Sequence, residues 1–563
     1  MKQDFKFSEI EYVCPDFKEV EIRLKDFEDR IKKASTYQEY KGHILEFDEY
    51  IQNVDLQVTL PFIRMYLDCT DEYYQGEMAK VQEGAILLDQ TGINNAILES
   101  PFSEQLREEF GPELLAILHK DNKIYGQGKE LQVKVEALVN QYQQLKASMQ
   151  IEFEGNVYSE AELNKLGENP NRDIRKNSKT AYYKALLEKK DTWEDILNQL
   201  VEVRLELAKA NGYHSYLDYM NEEKGRRGYG EAELNAFSAQ VKQEIVPVVR
   251  KLLEAQAKRI GVDKINVFDQ VMIFPDGNEV HVGEEGILQA AKKMYHGLSK
   301  DAGEFFDMMM KHELIEAKSS PNKIANMGFC TLLLPLKVPF IFGNNNNTPY
   351  DVIVFTHEGG HAYQGYVAMK KQKISQYYNE VNDIAEIPSK TMEQFSYEYA
   401  EEFFGDTKDK YLFHHQQQVL DELCAYCAVN EFENYLYTYP EATMEERIQT
   451  FNRIFREYAQ LEEEDELQEY IDAGCLLYRN MGIYMFPKYL ISYALSAISA
   501  CEFRTKMDKD KDEAWADYVK LCEAGGSLSY RELLQLANLS VPFEEGAVKR
   551  CTESVRNFIN KYL

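Results

Sequence analysis

The sequence predicts a mostly α-helical protein with one small β-sheet set beside a helix built to bind metal. Three observations predict this. Most of the chain spaces its apolar residues at helical period between charges, as in FKEVEIRLKDFEDRIKKA, residues 17–34. One stretch breaks that pattern: GFCTLLLPLKVPFIFG, residues 328–343, is rich in β-branched and aromatic residues and interrupted by Pro335 and Pro339. Directly after it, TPYDVIVFTHEGGHAYQGY, residues 348–366, places His357 and His361 one helical turn apart.

From the N-terminus, residues 36–54 and 131–149 repeat the helical spacing of 17–34. QIEFEGNVYS, residues 150–159, alternates around Gly155-Asn156 and predicts a small hairpin. The polar run GENPNRDIRKNS follows, and a domain boundary is expected there, giving an N-terminal helical domain 1–165 and a second domain 166–563. Residues 180–212 predict a long helix closed by Gly212. FDQVMIFPDGNEVHV, residues 268–282, predicts a hairpin turning at Asp276-Gly277. Phe340, Ile341, Phe342 and Gly343 predict a strand, with Pro339 marking an edge or a strand start. An exposed edge at that place would accept an extended peptide through main-chain hydrogen bonds.

Thr348 is the expected N-cap of the next helix, Pro349 its first residue and Asp351 the partner in a T-x-x-D capping box. On that helix His357 and His361 can bind one metal together. Glu358 is turned to a neighbouring face, where it reaches a water on the metal. Two imidazoles suit zinc and the carboxylate suits a general base. Gly359 and Gly360 each cost about 1 kcal/mol against Ala in a helix; a close approach to that backbone would explain both. A second start, His312-Glu313, has Glu316 where the second histidine belongs and is read as an ordinary helix face.

Catalytic zinc takes three protein ligands and leaves a fourth position to water. Residues 377–404 offer Glu380, Asp383, Glu386, Glu393 and Glu398, with Glu386 and Glu393 on roughly one face, and composition does not choose among them. Cys424 and Cys427 form a C-x-x-C within a helical stretch and are read as structural. His43 and His119 have no ligand-spaced partners and are read as helix-face residues; His281 and His296 are read as structural or solvated. Tyr484, Tyr489 and Tyr493 lie in residues 478–500; phenol groups can donate to a developing oxyanion.

A net charge of −31 argues against nucleic acid or an anionic membrane as partner. Charged residues at 28% and hydrophobic ones at 44% exclude a disordered chain. The first residues lack an apolar signal region, and no apolar run reaches spanning length. Nine scattered cysteines fit a reducing compartment, so a cytoplasmic location is expected.

HEGGHAYQ followed by AEIPSKTMEQ resembles the thimet oligopeptidase and oligoendopeptidase F family of zinc metallopeptidases, especially its Pz-peptidase-like branch. The resemblance implies zinc ligands His357, His361 and Glu386, with Glu358 as catalytic acid and base. It implies two helical lobes flanking a deep substrate channel with one zinc at its floor, and a substrate-receiving edge strand in the region of Phe340–Gly343. PKYLISYAL is similar to the family segment whose last tyrosine binds the tetrahedral intermediate, which maps to Tyr493, with Tyr489 one turn before. Relatives carry a histidine near positions 481–483; here no histidine occurs from 416 to 563. Glu393 and Asp383 are candidates for orienting a ligand histidine from behind.

The expected activity is zinc-dependent hydrolysis of internal bonds in short unfolded oligopeptides. A carboxypeptidase or dipeptidyl carboxypeptidase would share the ligands but needs a cation for the terminal carboxylate, and no Lys or Arg identifies itself. A non-catalytic helical metal-binding protein is the third reading; it leaves Glu358 without a purpose.

Overall fold

The computed structural model describes residues 5–125, 127–278, 280–282, 286–324, 327–346, 348–379 and 382–563. Helices dominate, and the backbone groups into two compact units, each assembled from three stretches of chain. The first holds residues 1–123, 280–408 and 506–539; the second holds 124–279, 409–505 and 540–563. This grouping follows contacts, whereas the boundary expected near residue 165 follows a break in sequence character.

In the first unit the N-terminal helices bury the face their spacing predicts. Asp16 caps Phe17–Lys33 by accepting from the Lys18 and Glu19 amides, and Val20, Leu24, Phe27 and Ile31 turn inward. They pack on Tyr40, Ile44 and Phe47 of Tyr37–Leu67 and on Ile93, Ile97 and Leu106.

The unit's sheet has three strands: β1 (Ile315–Lys318), β2 (Phe329–Leu333) and β3 (Val338–Asn345), in the order β1-β3-β2. β3 pairs parallel with β1 and antiparallel with β2. This corrects the edge expected at Phe340–Gly343. Those four residues are buried in the middle of the sheet, with Phe340 opposite Thr331 and Ile341 opposite both Cys330 and Ile315. Pro339 misleads because β1 begins to pair only at Ile341, so on that side the missing Pro339 N–H faces no strand. Among the described residues, the strand next to the metal helix with one unpaired side is β2.

Four helices complete this region: α1 (Gly286–Leu298), α2 (Pro349–Lys371), α3 (Asn382–Ser396) and α4 (Lys511–Ala524). α2 starts as its sequence predicts. Thr348 Oγ1 accepts from the Asp351 amide at 3.2 Å, and Asp351 Oδ2 accepts from the Thr348 amide at 2.8 Å. Pro388 lies inside α3. The carbonyl its side of the turn presents is bonded by the buried Tyr518 hydroxyl of α4 at 3.2 Å.

The second unit is also helical. The expected hairpin forms, with Ile151 opposite Tyr158. The long helix expected to end at Gly212 breaks at residues 188–189 into Arg172–Leu187 and Lys190–Ala210, and Gly212 follows at φ +80°. The hairpin expected at 268–282 is a turn without strands among the described residues. Asn278 takes the backbone partners a ladder would use: its Oδ1 accepts from the Ile273 and Phe274 amides at 3.0 and 3.3 Å. Among the described residues no helix is long and apolar enough to cross a membrane.

Candidate metal and catalytic site

His357 and His361 stand one turn apart on α2, with ring centroids 4.9 Å apart and planes at 81°. Both Nε2 atoms converge on one carboxylate oxygen of α3: Glu386 Oε2 is 3.1 Å from His357 Nε2 and 3.4 Å from His361 Nε2. The three donors lie within 4.8 Å of one another, the only such triad of His, Cys or acidic groups among the described residues. Of the acids left open by composition, Glu386 is the one brought here. Glu398 pairs instead with Lys511, and Glu380 lies outside the described residues.

The surroundings fix these groups. Glu393, one face-repeat after Glu386, places Oε1 2.6 Å from His357 Nδ1. Ser389 Oγ donates to Glu386 Oε2 at 2.9 Å. Asp383 is buried in the first turn of α3. The paired glycines are explained by protein packing. A Cβ on Gly359 would stand 2.3 Å from the Tyr295 hydroxyl of α1, and one on Gly360 would stand 2.6 Å from the Pro388 carbonyl oxygen. The close approach expected at this backbone is made by α1 and α3.

Electrostatics mark the triad as a place for a cation. Burial alone would lower the His357 pKa, but Glu386 and Glu393 outweigh it and raise it to about 10. Burial would raise the Glu386 carboxyl, yet the two histidines hold it well below the usual carboxylate range. Two imidazole nitrogens and one carboxylate, without a thiolate, form a donor set that fits zinc with a coordination position left over.

Glu358 is set apart from the triad. Burial raises its pKa, and the two histidines and, less strongly, the Cys330 amide of β2 partly offset this. That amide contact gave no sequence signal, because it depends on the order of strands. β2 itself packs on α2: Leu332 Cδ2 would meet a Cβ on Gly365 at 2.4 Å.

Tyr489 and Tyr493 lie in the second unit, half-buried, with ring centroids 5.1 Å apart at 89°. Tyr484 is fully buried there and donates to the Trp193 carbonyl at 3.3 Å, a packing role. Residues 481–483, where relatives are expected to hold a histidine, lie in a short helix, Met481–Met485, capped by Asn480.

Comparison with known proteins agrees with this geometry. Residues 7–125 match the Peptidase M3 N-terminal domain, and residues 165–273 and 302–553 match Peptidase family M3. Oligopeptidase PepF of Bacillus subtilis (strain 168) is 21% identical over 402 residues, which span 68% of this chain and 56% of that relative. The chain thus matches little more than half the length of that relative. A solved structure of PZ peptidase A with an inhibitor superposes at a TM-score of 0.86 with 32% identity, covering 99% of both chains. Oligoendopeptidase-F from Enterococcus faecium shares the fold, at a TM-score of 0.62 and 15% identity over 97% of this chain and 98% of its own. With the family's main domain matched across most of residues 165–553 and its N-terminal domain ahead of it, the chain belongs to peptidase family M3, a family of metallopeptidases.

Proposed function

We propose that the chain is a zinc-dependent endopeptidase acting on short, unfolded oligopeptides. The observation that carries this is the gathering of His357 Nε2, His361 Nε2 and Glu386 Oε2 within 4.8 Å of one another, with Glu358 outside the triad on the same helix. His357, His361 and Glu386 would hold the ion, and zinc bound there supplies a Lewis acid for the scissile carbonyl and a water whose pKa is lowered toward about 7.

Glu358 takes the proton of the attacking water and passes it to the leaving amine. Glu393 accepts from His357 Nδ1–H, which fixes the tautomer that presents Nε2 as a lone pair. The open side of β2 supports an extended substrate through main-chain hydrogen bonds, a mode that tolerates varied side chains. Tyr493, with Tyr489 beside it, supplies the phenol donor for the oxyanion, as the family segment implies.

The test is Glu358→Gln. Zinc is retained at one per chain while hydrolysis of a quenched internal-site peptide falls by several orders of magnitude; turnover at the parent rate overturns the assignment. Peptides with free and amidated C-termini separate the two peptidase readings: equal cleavage supports an endopeptidase, and loss on amidation supports a carboxypeptidase.

A further inference from the structure

The second unit contains a cavity of about 270 Å³ whose lining includes Arg175, Ser178, Lys179, Tyr182, Phe268 and Arg479. Three of these are cations, in a chain whose net charge is −31. Their existing partners do not use them up. Arg175 is 3% exposed; its Nη1 donates to the Asn169 and Pro170 carbonyls at 2.8 and 3.2 Å and its Nη2 to Asp269 Oδ1 at 2.8 Å, and its buried Nε has no acceptor among the described residues. Lys179 Nζ lies 5.6 and 5.7 Å from the Tyr182 and Tyr183 ring centroids, and no acceptor is within hydrogen-bond reach of it among the described residues. The Arg479 guanidinium likewise has no acidic or carbonyl partner among the described residues.

The nearby acids are committed elsewhere. Glu160 takes Lys146 at 3.1 Å and the Tyr182 hydroxyl at 2.7 Å. Asp269 is shared between Arg175 and Arg172, at 2.8 and 3.0 Å. The electrostatic cost is visible at Lys179: burial, and then the positive charge of Arg479, bring its amine down to about 7, with Glu160 opposing and Lys146 adding to the effect. A cavity of this size, lined by the half-buried Lys179 and the exposed Arg479, neither with an acceptor among the described residues, offers two cations to an incoming anion.

We propose that this cavity is a binding site for a small anion with a phosphate or carboxylate head, held by Lys179 and Arg479. Charge-assisted bonds from a planar guanidinium and an ammonium suit both head groups. The tyrosine and phenylalanine walls leave room for an apolar portion beside the head. The site involves none of the metal-binding residues, and the proposal stands independently of the peptidase chemistry.

The experiment is isothermal titration calorimetry of the zinc-loaded protein at low ionic strength, with inorganic phosphate in one arm and succinate in the other. The expected result is saturable one-to-one binding of at least one of the two, which identifies the head group. Lys179→Met and Arg479→Met each weaken it about tenfold or more, while Lys176→Met, which removes only a surface pair with Glu466 at 2.7 Å, leaves it unchanged. Both test variants are expected to fold, because each removes a cation that lacks an acceptor; thermal melting of each confirms that the comparison is between folded proteins. Absence of binding in both arms, or binding undiminished in Lys179→Met and Arg479→Met, overturns the proposal; the latter result places the anion at the metal instead.

Discussion

Gly360 of α2 lies directly against Pro388 of α3: a Cβ on Gly360 would stand 2.6 Å from the Pro388 carbonyl oxygen and 2.6 Å from Ser389 Cα. These are backbone atoms, so no side-chain rotation relieves the contact. The helix carrying Glu386 sits where it does because position 360 has no side chain. Helix propensity alone predicts that Gly360→Ala stabilises α2 by about 1 kcal/mol. Overpacking of backbone against backbone costs about 1–3 kcal/mol or more, and the contact wins. Gly360→Ala is therefore expected to lower the melting temperature and to weaken zinc binding by displacing Glu386, with both effects measured on the same preparation by calorimetry and chelator competition.

Gly359 meets a different neighbour. The Tyr295 hydroxyl occupies the space a Cβ would fill, at 2.3 Å, and that buried hydroxyl has no hydrogen-bond partner among the described residues. Removing it leaves no acceptor or donor orphaned, so Tyr295→Phe is expected to be neutral or stabilising by up to about 1 kcal/mol. Gly359→Ala alone is expected to destabilise. In the Tyr295→Phe background it is expected to be tolerated, with a coupling of about 1 kcal/mol or more in a double-mutant cycle of chemical unfolding. Strict additivity of the two changes would show that the hydroxyl does not cause the conflict.

Much of this site was legible in the residues. The i, i+4 histidines, the intervening Glu358 and the Thr348–Asp351 cap are local features, and local features survive folding. Glu386 was not legible from spacing, since four other acids surround it; the resemblance of AEIPSKTMEQ singled it out, and geometry places it with the histidines. Its one-face relation to Glu393 was visible, but the histidine that Glu393 would meet was not. The position of β3 was misread because Pro339 reports only on its own missing N–H, while strand order is set by a parallel partner more than twenty residues earlier in the chain. The glycine pair was legible as a close approach, but nothing in the sequence names Tyr295 or Pro388 as the approaching groups.

Asp421, on the helix Lys408–Thr438 of the second unit, gives a pH-dependent prediction. Burial raises its pKa from the ordinary value to about 7; Gln417 opposes this and Glu422 adds to it. The folded protein therefore holds this proton more tightly than the unfolded chain, whose aspartate titrates near about 4. The group's contribution is fully present below about pH 4 and is lost as pH rises through about 7. Asp421→Asn removes that loss. It is expected to be the more stable protein at pH 8, by a few kcal/mol at most, and to show a flatter stability profile between pH 4 and 7 in urea unfolding. Equal slopes for the two proteins would refute the shift.

Tyr493→Phe tests the oxyanion role. A donor used only in the transition state changes kcat and leaves KM nearly constant. The expected loss is about 10²-fold in kcat with the melting temperature preserved, because Tyr493 is only half-buried. Tyr489→Phe is expected to lose less. A rise in KM at unchanged kcat would assign Tyr493 to ground-state binding.

Glu393 separates orientation from charge. Its Oε1 sits 2.6 Å from His357 Nδ1 and it is 4% exposed. Glu393→Ala leaves a buried imidazole nitrogen without its partner, so His357 can adopt the tautomer that protonates Nε2 and cannot bind metal through it. Zinc affinity is expected to fall about 10–100-fold. Glu393→Gln keeps an acceptor oxygen in place and loses only the negative charge, so its loss is expected to be the smaller one. Competition with a chelator at fixed pH measures both. If the two variants lose equally, the charge of Glu393 carries the effect; if Gln retains most of the affinity, the hydrogen bond that sets the tautomer does.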